Sequence, residues 1–198
     1  MRKALAALLT APLLLLAACG GDAEASLTGT TLDPPFEVLA TPLTDTDGQA
    51  FSLTDDTDKD LTLVFFGYTH CPDICQTVMA SLASAMTRLD DADRDRVDVV
   101  LVTTDPARDT EQELADYLSH IDPSFIGLTG DLSTIVDVAL PLGVGITKGE
   151  KLPSGGYDVT HGTTITGIDS DDEAPVYWSE STSSAEFADD IHLLLNKD

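Results

Sequence analysis

The chain has 198 residues, and its 35 Asp and Glu outnumber 10 Lys and Arg, for a formal net charge of -25 and a pI near 4.1. Affinity for nucleic acid rests on Lys and Arg neutralising phosphates, so this balance excludes a nucleic-acid partner and a basic patch lying on anionic lipid. A hydrophobic content of 42% and a mean hydropathy of +0.04 belong to a globular chain with a core of its own, not to a disordered acidic tail.

Arg2 and Lys3 precede an apolar run from Ala4 to Leu16, broken by Thr10 and Pro12, and Leu16-Ala17-Ala18-Cys19-Gly20 follows as a small-residue cleavage site ending in cysteine. The run is short for a membrane span of ~20 residues. It resembles a bacterial lipoprotein signal, which implies a signal peptide over residues 1–18, a lipid on the Cys19 thiol and a protein held at the outer face of the cell membrane. Cleavage leaves 8 basic against 35 acidic residues, a charge of -27, so the body is repelled by anionic headgroups. The small, polar segment that follows carries no hydrophobic period and reads as a lipidated flexible tether over 19–33, ending at Pro34-Pro35; the folded domain is expected over 34–198.

Two short β-like runs, Phe36 to Ala40 and Ala50 to Leu53, flank Thr44-Asp45-Thr46-Asp47-Gly48, which predicts an N-terminal hairpin. Leu61 to Phe66 and Val97 to Val102 are apolar runs of strand length, interrupted only by Thr62 and Asp98, the mark of strands buried on both faces. Between them Val78, Leu82, Ala85 and Leu89 fall at helical spacing and predict a helix over 73–89. Thr110 with Glu113 resembles a capping box opening a helix to about His120; Ser124 to Leu128 follows as a strand and Asp131 to Leu140 as a helix. Thr163 to Ile168 with Val176 to Trp178 form a strand pair, and Ser184 to Asn196 a closing helix. Alternating strands and helices predict an α/β domain on the thioredoxin-like plan, a central mixed sheet with helices on both faces.

With Cys19 assigned to lipid, Cys71 and Cys75 remain, in a loop and helix start directly after the first buried strand. A helix N-terminus favours the thiolate, and an i, i+4 spacing puts both sulfurs on one face of the first turn, with Pro72 at its first position. Such a pair can close a disulfide, inert or redox-active, or grip one soft ion. His161, in a Gly-flanked turn leading into a strand beside the cysteine-bearing one, is expected at the same end of the sheet. As a ligand it completes a soft set of two sulfurs and one nitrogen suited to Cu(I), able to accept Cu(II) with a further ligand, with Zn(II) as a competitor; the alternative is a surface histidine.

The segments Val64-Phe65-Phe66-Gly67-Tyr68-Thr69-His70-Cys71-Pro72-Asp73-Ile74-Cys75, Thr103-Thr104-Asp105-Pro106-Ala107-Arg108-Asp109-Thr110, Phe125-Ile126-Gly127-Leu128-Thr129-Gly130 and Val159-Thr160-His161 resemble, in order and spacing, the signatures of the Sco/SenC family. The likeness runs from about Pro34 to Asn196. It implies a membrane-tethered thioredoxin-like domain that handles copper during assembly of the dinuclear copper centre of cytochrome c oxidase, with Cys71, Cys75 and His161 as metal ligands. Thr160 and Gly162 stand where the family usually has an acid and a serine, so an acid that would support the imidazole is missing.

The remaining candidates are weaker. Met79 reads as packing, His70 as a loop residue able to tune Cys71, and His120 and His192 as surface residues. Asp73 reads as a helix-start acid, Asp105 and Arg108 as loop-fixing, and the acidic clusters Asp55 to Asp60, Asp90 to Asp98 and Asp169 to Glu173 as solvated loops without an EF-hand pattern. Two functions follow from the cysteine pair. One is a copper chaperone serving an oxidase subunit. The other is a thiol-disulfide oxidoreductase, with Cys71 attacking and Cys75 resolving, that reduces the subunit's copper-site cysteines. No proline precedes the Thr163 strand, where thioredoxin-type reductants carry one, which favours copper holding. A peroxidase on this fold needs a partner set around its cysteine, and Trp178 lies far from the motif in sequence.

Overall fold

The computed structural model describes residues 26–151 and 157–197. Its elements in chain order are β1 (Thr30–Glu37), β2 (Leu43–Asp45), β3 (Ala50–Phe51), β4 (Leu61–Gly67), α1 (Cys75–Met86), α2 (Asp91–Arg94), β5 (Val97–Thr103), α3 (Glu111–Ser119), β6 (Ile126–Thr129), α4 (Leu132–Ala139), β7 (Ile146–Lys151), β8 (Tyr157–His161), β9 (Ile165–Asp169), β10 (Glu173–Trp178) and α5 (Ser184–Leu195). The expected signal peptide, Cys19 and most of the expected tether lie outside the described residues. No helix among the described residues is long and apolar enough to cross a membrane.

Every residue of β4 is buried, because it occupies the middle of an eight-stranded sheet ordered β1-β10-β9-β4-β5-β6-β2-β3. It pairs in parallel with β5 and antiparallel with β9, so the sheet is mixed, as expected. Strand alternation sends Leu63, Phe65 and Leu101 into a core closed by α1, α3 and α5, and Val64, Phe66 and Val102 into a second core closed by α4. This is why the runs are apolar at neighbouring positions instead of alternating, save for Thr62 and the half-buried Asp98: each residue has a helix-covered face to enter.

The N-terminal hairpin differs from its expected form. The Asp-Gly turn is where the sequence places it, with Gly48 at φ +75°, but it joins β2 to β3. Phe36 and Glu37 belong instead to β1, which pairs with β10 at the opposite edge of the sheet. Residues 30–35, expected at the end of the tether and the start of the domain, are thus an edge strand of the fold. Asp190 explains why they are held. Its buried carboxylate accepts the backbone N–H groups of Thr28 (2.9 Å) and Gly29 (2.8 Å) and the indole N–H of Trp178 (2.7 Å). The closing helix α5 starts as expected and carries a full capping box of Ser183 and Glu186; at α3, Thr110 accepts the Glu113 N–H. The two-stranded β7–β8 sheet and the single turn of α2 go beyond the expected elements: β7 has no apolar alternation, β8 offers only Tyr157 and Val159, and α2 is too short to show a stripe.

Candidate functional site at the thiol end of the sheet

β4 delivers the chain to the site and Gly67 sets how closely it can approach. A Cβ on Gly67 would lie 2.7 Å from the Phe65 ring and 3.3 Å from the Cys75 sulfur, so only glycine lets that sulfur rest against the strand end. The chain then bends through residues 68–74, and α1 begins at Cys75 itself. The expectation that both cysteines share the first helical turn is therefore corrected: Cys71 stands in the loop ahead of the helix, and Pro72 is not its first residue. The physical reason is the capping arrangement. Ile74, at the N-cap, has no side-chain capping bond, and the backbone N–H groups of Asp73, Cys75 and Ile74 turn to the Cys71 sulfur.

The two sulfurs hydrogen-bond to each other, and their surroundings split their acidities. Burial pushes the Cys71 thiol up, but the Cys75 thiol and the three backbone amides together outweigh it, and Cys71 titrates below the ordinary value. Cys75 is 1% exposed; burial first, then its bond to Cys71, pushes its thiol up to about 12. One sulfur is thus part-exposed and acidic, the other sealed and protonated at neutral pH.

Beneath the loop lies Asp109, fully buried, whose carboxylate accepts Thr69 N–H (2.9 Å), Thr69 Oγ1–H (2.6 Å) and Thr103 Oγ1–H (2.7 Å). His70 Nδ1 stands 3.7 Å from the same carboxylate and 2.8 Å from Thr69 Oγ1. Asp105 pairs with Arg108, as loop-fixing residues should, and the Arg108 guanidinium lies 5.8 Å over the Tyr68 ring. Burial raises the Tyr117 hydroxyl to about 12, with lesser contributions from Cys75, Cys71 and Asp109. In the sequence Asp109 stands only as one member of the Thr103 to Thr110 motif. A signal for it existed: it follows β5, the parallel neighbour of β4, so its loop must emerge at the same end of the sheet.

His161 closes β8 as a strand residue paired with Ile146, not as part of an isolated turn, and Gly162 N–H bonds the Gly145 carbonyl (3.0 Å). Ile165 of β9 lies opposite Phe65 of β4, so His161 does reach the cysteine end. Its half-buried imidazole stands edge-on to Tyr68 (5.9 Å between centroids) and Phe65 (6.3 Å). Nδ1 donates to the Gly162 carbonyl (2.8 Å), which leaves Nε2 with the lone pair, and burial lowers the imidazole pKa, keeping the ring neutral. The structure brings the two thiols together and sets His161 against the aromatic rings beside them. Among the described residues no group of three or more His, Cys, Asp or Glu is arranged to hold a metal ion.

Elsewhere, Met79 is fully buried in the α1 core, in keeping with packing. His120 bonds the Asp116 carbonyl on its own helix (2.6 Å). His192, expected as a surface residue without a partner, is bonded to Asp93 at 2.5 Å, and this bond raises its pKa. The acidic clusters are more than solvated loops: Asp60 pairs with Arg96, Asp90 caps α2, and the Asp93 side chain is buried against His192, Asn196 and Arg96.

This geometry has close counterparts. The family described as SCO1/SenC matches residues 26–196. Apo Sco1 of Thermus thermophilus superposes with a TM-score of 0.77 at 29% identity, covering 87% of this chain and 99% of that one. ScoI of Bradyrhizobium japonicum, solved with copper bound, gives 0.67 at 32% identity over 80% of this chain and 96% of that one. Protein sco1 of Schizosaccharomyces pombe is 39% identical over 100 residues, 46% of this chain and 38% of that protein. The chain spans less than half the length of the curated relatives it matches. The thioredoxin-like plan expected from the strand and helix order is the fold of these neighbours.

Proposed function

The chain belongs to the SCO1/SenC family, and from that premise we propose that it is a copper chaperone, binding copper through Cys71, Cys75 and His161 and serving the assembly of the dinuclear copper centre of a cytochrome c oxidase subunit. The observation that carries this reading is the hydrogen-bonded Cys71–Cys75 pair at the helix start. Two sulfurs and the Nε2 of a neutral imidazole are a soft donor set that fits Cu(I). Because Cys75 holds its proton at neutral pH, uptake of copper releases that proton, and affinity rises with pH. A lipid on Cys19 holds the domain at the extracytoplasmic face of the membrane, where the receiving subunit presents its copper site.

The split acidity of the cysteines supports a second reading, a thiol-disulfide oxidoreductase. The Cys71 thiolate attacks a target disulfide, one target sulfur leaves as a thiolate, and Cys75, after losing its proton, attacks Cys71 to release the second. The target is reduced to its dithiol and this chain is left with a Cys71–Cys75 disulfide.

Anaerobic Cu(I) titration of the reduced protein against a competing chelator tests the first reading, beside the Cys71→Ser/Cys75→Ser double variant. One tightly held copper per chain, lost in the variant, is the expected result. A folded, reduced protein that takes no copper from the chelator leaves the oxidoreductase as the function.

A further inference from the structure

We propose that His70 is a copper ligand in its own right, forming with Cys71 an outer station at which the ion is taken up and given up; the proposal rests on the copper reading above. Proton accounting at Thr69 carries it. Thr69 Oγ1 has one hydrogen, and Asp109 Oδ1, 2.6 Å away, is a carboxylate oxygen that accepts it. The 2.8 Å contact between Thr69 Oγ1 and His70 Nδ1 then requires the imidazole to donate. With Nδ1–H as the donor, Nε2 is the nitrogen left to offer a lone pair. A buried carboxylate that fixes a histidine's Nδ1–H, here through a hydroxyl and from 3.7 Å, is the support that orients ligating imidazoles and raises the basicity of the other nitrogen. His161 has the same form, with the Gly162 carbonyl in that place.

Burial orders the donors. The His70 side chain is 51% exposed and Cys71 part-exposed, whereas Cys75 is 1% exposed and His161 is half-buried against two aromatic rings. Copper passes between proteins by ligand substitution, and an incoming donor reaches only the side that solvent reaches. His70 and Cys71 are consecutive, on a loop that Asp109 fixes through Thr69 and Thr103. That anchoring is complete without the imidazole, so the orientation of the half-exposed ring serves nothing in the core. It serves a ligand that is met first and left last.

The test is stopped-flow exchange of Cu(I) between its bicinchoninate complex and the reduced full chain, with His70→Asn, His70→Ala and His161→Ala. Asparagine keeps an N–H donor for Thr69 and removes Nε2. Uptake and release both slowed about tenfold in His70→Asn, with equilibrium affinity within about twofold of wild type, is the expected result, because Cys71, Cys75 and His161 still hold the ion. His161→Ala is expected to lose affinity instead, by about tenfold or more, since removing a ligand costs no less than removing a partner that supports one. Exchange at the wild-type rate in His70→Asn overturns the proposal. So does slowing in His70→Ala alone, which assigns the ring a structural role through Thr69. Failure of the wild-type chain to take up any Cu(I) is a different result and sinks the copper reading itself.

Discussion

Two buried carboxylates, Asp109 and Asp190, each collect three donors, yet they do different work. Asp190 reaches across more than 160 positions to fasten Thr28 and Gly29 to α5 and Trp178, and every group it touches is part of the scaffold. Asp109 reaches 40 positions back to Thr69 and 6 to Thr103, and what it holds is the loop that presents Cys71. Charged acceptors with three donors are strong wherever they occur. The difference lies in what hangs from them: a strand whose loss unravels an edge of the sheet, or a loop whose loss disperses a site while the sheet persists.

Substitutions can pull this contrast apart. Asp190→Ala, which strands three donors, is expected to cost about 3 kcal/mol in urea unfolding and to leave Cys71 alkylation unchanged in the protein that remains folded. Asp109→Asn sets an amide NH2 against hydroxyls that were donating. A loss of about 2 kcal/mol is expected, together with a rise of the Cys71 alkylation midpoint towards 9.0, because the loosened loop no longer holds the backbone amides on the sulfur. An unmoved midpoint would place Asp109 with Asp190 as scaffold alone.

The smallest effect extends the comparison to a third carboxylate, Asp93. His192 gains a partner there and its pKa rises above 6.5, so its contribution is full below 6.5 and fades as pH climbs through the raised value. The hydrogen bond from His192 foremost depresses Asp93 below 3.8, so that contribution is full above 3.8 and fades as pH falls through the depressed value. The pair therefore stabilises most between pH 3.8 and 6.5. His192→Gln is expected to lower the denaturation midpoint near about pH 5 and to leave it unchanged at about pH 9, read by circular dichroism.

The parts legible in the sequence are those whose physics is local. β4 and β5 are apolar runs broken only by Thr62 and Asp98, α1 has its stripe, α3 its Thr110 cap, and Cys71 and Cys75 are four residues apart in a loop leading into a helix. What was misread depends on distant partners. Phe36 has the composition of a hairpin strand, and only its pairing with Ala174 puts it on the other edge. Thr28 and Gly29 look like linker because the Asp190 that holds them comes at the far end of the chain. In the β7–β8 pair only Tyr157 and Val159 alternate with polar residues, too short a signal to set it apart from loop. At the site, sulfur capping of α1 was not foreseen, since cysteine is not a usual cap and Pro72 suggested an earlier start.

The chain's single tryptophan is the residue that Asp190 binds beside Gly29, buried to 1%. Its emission is consequently a report from one address. Detachment of the N-terminal segment wets that indole and shifts its spectrum to the red, whereas events confined to the thiol loop leave the colour alone. The molecule thus carries its own optical gauge for the place where its leading segment joins the folded body, readable without a label.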